Sequence, residues 1–71
     1  SPGSLRRPDR VMIKGRRAVV VDYKFGQRRN NTYTKQMSEY LSLLASMGKY
    51  DTIEGYVWYV TLGDVVPVTL D

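Results

Sequence analysis

The residues of this chain best suited to chemistry are Asp9, Asp22 and Lys24. They lie in the segment Pro8-Asp9-Arg10-Val11-Met12-Ile13-Lys14, Gly15-Arg16, Arg17-Ala18-Val19-Val20-Val21-Asp22-Tyr23-Lys24. With Gly15 at the first central position of a type II′ turn, this segment forms a hairpin in which Lys14 pairs with Arg17, Met12 with Val19 and Asp9 with Asp22. Directly opposed residues of an antiparallel pair have Cβ atoms roughly 5 Å apart, a spacing at which two carboxylates repel. A cation is therefore expected between them. Lys24, two residues beyond Asp22 and on its face, supplies one positive charge and leaves room for a divalent metal. Two carboxylates on a hard cation can neutralise and polarise a phosphate and lower the pKa of an attacking water, while a neighbouring lysine orients that water or stabilises charge building on phosphorus. The plainer alternative is a strand that starts after Pro8 and two solvated charges at a strand end. Agreement between spacing, register and basic surroundings favours the site.

The 71 residues hold a single small domain at most, with a core that is marginal without a partner, a ligand or further sequence. A fragment of a larger protein is expected, with residues 1–5 a cloning scar or linker and 6–71 one domain. The chain has no Cys and no His. Disulfides, zinc ribbons, iron–sulfur clusters and His-based nucleophile systems cannot be built from it alone, and any metal must be a hard, oxygen-liganded ion such as Mg²⁺ or Mn²⁺. No stretch is apolar and long enough to span a bilayer, and no signal-peptide pattern is present, which points to a cytoplasmic protein. Residues 1–35 carry ten Lys or Arg against Asp9 and Asp22, a balance of +8, whereas residues 36–71 come to −4. The half that holds the two aspartates is the half that attracts polyanions.

The elements that must position these residues can be read from period and punctuation. Residues 9–14 and 17–24 form the hairpin, the second strand carrying the β-branched run Val19-Val20-Val21. Residues 25–31 form a polar loop with a glycine breaker. Tyr33, Met37, Tyr40, Leu41, Leu44 and Met47 then fall on one stripe of an amphipathic helix over 32–47, capped by Asn31 or Thr32 and ended by Gly48. Residues 53–62 read as a third strand, and Gly63-Asp64 turns it into a fourth over 65–70, an edge strand because Pro67 lacks a donor. The order is ββαββ, an α+β fold.

Gln36 and Tyr40 are one helical turn apart and share a face, which a helix edge with Tyr40 in the core and Gln36 solvated would also explain. The loop and turn cations Arg6, Arg7, Lys14, Arg16, Arg17, Arg28 and Arg29 can form a solvated surface or a phosphate-backbone contact, and their concentration in one half supports the latter. Tyr50, Tyr56, Trp58 and Tyr59 could stack on bases, but at strand spacing a core or cross-strand role is preferred.

Taken in order, Pro8-Asp9-Arg10-Val11, then Asp22-Tyr23-Lys24-Phe25-Gly26, then Gln36-Met37-Ser38-Glu39-Tyr40 resembles the RecB/AddA-type nuclease domain of the PD-(D/E)xK superfamily. The resemblance covers about residues 6–62. It implies a partial restriction-endonuclease-like core, in which a mixed sheet is flanked by helices, and Mg²⁺-dependent phosphodiester hydrolysis, with Mn²⁺ able to substitute. In it, Asp9 and Asp22 match the metal-binding pair, Lys24 the catalytic lysine, and Gln36 with Tyr40 the helix motif beside the active site and the DNA. Arg10, Arg16, Arg17, Arg28, Arg29 and Lys35 are the residues expected to bind DNA. Such domains sit at the C-terminus of helicase-nucleases in double-strand break repair and recombination, so DNA and a helicase domain of the same parent chain are the implied partners.

Two departures accompany the resemblance. Family members carry a helix before the first aspartate that contributes a His or Glu near the metal, and this chain starts after it; the isolated chain is therefore expected to be inactive. That missing helix would also leave a sheet face uncovered, through which the chain could self-associate. Members with an iron–sulfur cluster have cysteines that this chain lacks. Outside the resemblance, two further readings stand: a non-catalytic nucleic-acid-binding module, and a docking domain whose basic face contacts an acidic protein.

Overall fold

The computed structural model describes residues 7–70, so the expected linker at 1–5 and Arg6 lie outside the described residues. Strand β1 (Arg10–Lys14) turns into β2 (Arg17–Lys24), helix α1 (Asn31–Ser46) follows, and β3 (Thr52–Tyr59) turns into β4 (Asp64–Val68). The four strands form one sheet in the order β1-β2-β3-β4. Its two outer pairs are antiparallel hairpins and its central pair, β2 with β3, is parallel. The domain is a small α+β unit with a mixed sheet.

The first hairpin has the expected register, Lys14 opposite Arg17 and Met12 opposite Val19. Gly15 holds φ at 59° and no non-glycine residue among the described residues has a positive φ, which is the type II′ arrangement. The helix starts one residue earlier than the sequence suggests, because its cap is Asn30 rather than Asn31 or Thr32. Asn30 is extended at φ −150° and ψ 128°, and its Oδ1 accepts the Thr32 N–H at 2.8 Å. Gly48, at φ 68°, ends the helix by donating its N–H to the Ala45 carbonyl at 3.2 Å. The third strand stops at Tyr59 instead of running on to 62. Gly63 closes a turn over 60–63 by donating to the Val60 carbonyl at 3.1 Å, and Asp64 is already in the ladder, opposite Tyr59. As expected, the strand holding Pro67 is an edge.

Alternation along the strands sends Ala18 and Val20 of β2, Val57 and Tyr59 of β3 and Val68 of β4 to one face, where they meet Met37, Leu41 and Leu44 of the helix. Met47, the last residue of the expected stripe, is exposed. Gly55 lies beneath the helix. A Cβ built there would stand 2.8 Å from Leu41 Cδ1, closer than real side chains approach, and a tight 3.0 Å from the Met37 Cγ. The missing side chain is what lets the helix sit on the sheet. On the opposite face lie Met12, Val19, Val21, Tyr23, Tyr56, Trp58 and Val65, where the Tyr23 and Trp58 rings pack with centroids 5.5 Å apart. No helix among the described residues covers that face. None is long and apolar enough to cross a membrane.

Candidate active site

Asp22 and Lys24 occupy the last turns of the β2 pleat on the same face as buried Ala18 and Val20, so the alternation that builds the core carries a carboxylate and an ammonium to the end of the central strand. Lys24 is 5% exposed. Its Nζ lies 3.0 Å from Asp22 Oδ2 and 4.3 Å from the centroid of the Tyr33 ring. A buried ammonium is tolerated only where its donors find partners, and here a carboxylate and an aromatic face supply them.

Asp9 sits just ahead of β1. The ladder ends with Arg10 opposite Val21, so the expected Asp9–Asp22 pair would lie one step beyond it. The next hydrogen-bonded pair would join Tyr23 to Pro8. The Tyr23 N–H donates instead to Asp9 Oδ2 at 2.8 Å. The like charges of Asp9 and Asp22 are thus each held by a donor on β2, one a backbone amide and the other Lys24.

The parallel crossover brings the helix motif to the same place. A cleft at this end of the sheet is lined by Arg7, Pro8 and Asp22 on one side and by Tyr33, Gln36, Met37 and Tyr40 of the helix on the other. Gln36 and Tyr40 are both half-buried there. The Tyr59 hydroxyl accepts the Asn30 N–H at 3.1 Å, and the Tyr33 and Tyr59 rings lie 6.3 Å apart, which pins the helix start over the ends of β2 and β3. Sequence reasoning missed Tyr33 as a site residue. Its place four residues before Met37 marked it only as core.

The donors suit a hard ion. Mg²⁺ keeps several waters and takes one or two carboxylates together with substrate phosphate oxygens, and Asp9 and Asp22 are two carboxylates at adjoining strand ends. No group of three or more His, Cys, Asp or Glu gathers among the described residues.

The basic residues divide into two sets. Arg16 Nε bonds Asp51 Oδ2 at 2.8 Å, Arg17 bonds Glu54 Oε2 at 2.7 Å and Arg29 pairs with Asp64. The Arg29 partnership, mainly through its hydrogen bond, holds the Asp64 carboxyl below its ordinary range. These three ion pairs tie the positive half of the chain to the negative half. No ion pair engages Arg10, Arg28 or Lys35 among the described residues.

No family model matches the chain, and no curated protein or solved structure matches it at a significant level.

Proposed function

We propose that this chain is the core of a metal-dependent DNA nuclease of the RecB/AddA-like PD-(D/E)xK type, acting in double-strand break repair as part of a helicase-nuclease. The observation that carries the reading is the meeting of Asp22 with Gln36 and Tyr40 at one cleft, with Lys24 ion-paired to Asp22 and Asp9 bonded to the Tyr23 amide. These residues are far apart in sequence and include every part of the motif that the resemblance names. Asp9 and Asp22 would hold Mg²⁺, which supplies charge neutralisation and an activated water when bound. Lys24, held by Asp22 and Tyr33, would orient that water or stabilise charge building on the scissile phosphate. Gln36 and Tyr40 contribute polar atoms on the helix side for orienting the strand, and Arg10, Arg28 and Lys35 offer charge for its backbone.

The test is a titration with Mn²⁺ and Mg²⁺ that follows the Asp9 and Asp22 resonances, with Asp22→Ala as the control. A response confined to these aspartates and abolished in the variant is expected. In the parent protein, Asp22→Ala and Lys24→Ala should each remove DNA cleavage. Salt-dependent DNA binding indifferent to metal and to Asp9→Ala would replace this reading with that of a non-catalytic nucleic-acid-binding module.

A further inference from the structure

Every residue of β1 is exposed, although Val11, Met12 and Ile13 are large and apolar. The reason is topological. β1 ends the sheet, and the helix closes its core against residues of β2, β3 and β4, so that Ala18 and Val20 are buried while no β1 residue joins them. Val11 and Ile13 stand opposite Val20 and Ala18 and so on the helix-side face, where they are 38% and 49% exposed. They form an apolar ledge beside the core.

The same two residues own the unused backbone of this edge. The carbonyls of Arg16 and Lys24, at the two ends of β2, accept from Asp51, Thr52 and Val60, so even-numbered positions along β2 turn their groups to β3 and Arg17, Val19 and Val21 turn theirs to β1. Their partners Lys14, Met12 and Arg10 are thereby engaged. The N–H and C=O of Val11 and Ile13 point outward, where no strand among the described residues meets them. The opposite edge differs, because β4 carries Pro67, which has no donor, and buries Val68.

Arg10 and Lys14 flank the ledge, and no ion pair engages either among the described residues. These charges select what can add to the edge. A second copy aligned antiparallel about Met12 would set Arg10 against Lys14 at both ends, and like charges directly opposite are destabilising. A strand with carboxylates at those positions gains where the copy loses. We propose that β1 is a docking edge for an extended acidic segment of a partner protein, added antiparallel, with apolar residues opposite Val11 and Ile13 and carboxylates opposite Arg10 and Lys14. Backbone hydrogen bonds give the affinity, and the ledge and its two cations give the specificity. The inference does not rest on the nuclease reading, because no residue of β1 lines the Asp22 cleft.

The test adds the end-blocked peptide Gly-Glu-Val-Thr-Val-Glu-Gly to the 71-residue chain and follows amide hydrogen exchange by NMR. At a peptide concentration about ten times its Kd, exchange at Val11 and Ile13 should slow about tenfold, while Met12, already in the ladder with Val19, should not change. N-methylation of both peptide valines removes the donors that face β1 and should abolish the protection. Replacing both glutamates by lysine should weaken binding about tenfold, and Lys14→Glu should narrow the difference between the two peptides. Val11→Pro should remove docking yet spare the β1–β2 ladder, in which the Val11 amide takes no part; unaltered circular dichroism and Met12 exchange verify the fold of this variant. Protection that survives N-methylation, or equal binding of the acidic and basic peptides, overturns the proposal. So does a Val11-dependent dimer of the chain alone in sedimentation, or protection of the same two amides by a DNA duplex. Absence of a Mn²⁺ response at Asp22 in the same sample removes the nuclease reading and leaves the docking edge standing.

Discussion

Lys24 Nζ is 3.0 Å from Asp22 Oδ2, and the one residue between them, Tyr23, donates its amide to Asp9. A single stretch of β2 therefore restrains both carboxylates of the candidate site, through a side chain that points into the helix-covered face and a backbone N–H in the sheet plane. Local strand geometry makes the arrangement possible, since residues two apart share a face while the intervening amide points along the sheet. The same relationship makes the site a part of the fold's stability, because Lys24 is buried and its charge is balanced there.

Lys24→Met should therefore separate stability from chemistry. The substitution leaves Asp22 without its cation but places an apolar chain of similar length against Tyr33. A destabilisation of about 1–2 kcal/mol is expected, less than for breaking a fully buried pair because Asp22 keeps contact with water. Urea denaturation reads this term, and if the proposed nuclease function holds, DNA cleavage should be lost altogether. Retained cleavage would remove Lys24 from the reaction.

Gly55→Ala should loosen the helix. The added methyl would stand within 3.0 Å of both Leu41 and Met37, and overpacking of this kind costs about 1–3 kcal/mol, against a smaller gain from restricting the unfolded chain. The urea midpoint should fall, and the Tyr33 and Tyr40 resonances should shift as the helix moves off the cleft. An unchanged midpoint would mean that Met37 rearranges freely.

Acid should act on the Arg29–Asp64 clamp in a defined direction. The Asp64 carboxyl is held below its ordinary value chiefly by its hydrogen bond from Arg29, so its contribution to stability is complete above the unfolded-state pKa of about 3.9. That contribution is lost as pH falls through the lowered folded-state value. Arg29→Gln should raise the Asp64 titration midpoint, measured by carboxyl NMR, and remove this part of the acid dependence of unfolding. A midpoint identical in the two proteins would show that the pair does not persist in solution.

Under the proposed nuclease function, charge removal should not weaken DNA binding evenly across the six cations. Arg16, Arg17 and Arg29 are already opposed by Asp51, Glu54 and Asp64, whereas Arg10, Arg28 and Lys35 have no such partner among the described residues. Arg28→Gln and Lys35→Gln should each flatten the dependence of log K on log salt by about one contact, and Arg16→Gln should change it less. Fluorescence anisotropy at several salt concentrations measures this. Equal effects at all positions would mean that DNA displaces the internal acids.

Much of this architecture is local and was legible from residue order. Gly15 before Arg16 determines the hairpin and its register because a type II′ turn needs positive φ at one position, and the ladder then ends with Arg10 opposite Val21, next to Asp9 and Asp22. The spacing of Met37, Leu41 and Leu44 determines the buried stripe, and with it the shared face of Gln36 and Tyr40. Asn30 was legible as a polar residue but not as the cap, since Asn30, Asn31 and Thr32 all suit that role and the choice depends on where the loop is anchored by Tyr59. Tertiary structure alone decided that β2 and β3 lie side by side and parallel, which carries the helix motif to the Asp22–Lys24 end of the sheet. It also decided that acids more than thirty residues away neutralise three of the arginines, and that Gly55 is where the helix rests. The physical reason is range. Turn and helix signals act over a few residues through φ and side-chain period, whereas strand adjacency and ion pairing between the two halves follow from burying one helix stripe against one sheet face, and no short stretch of sequence encodes that.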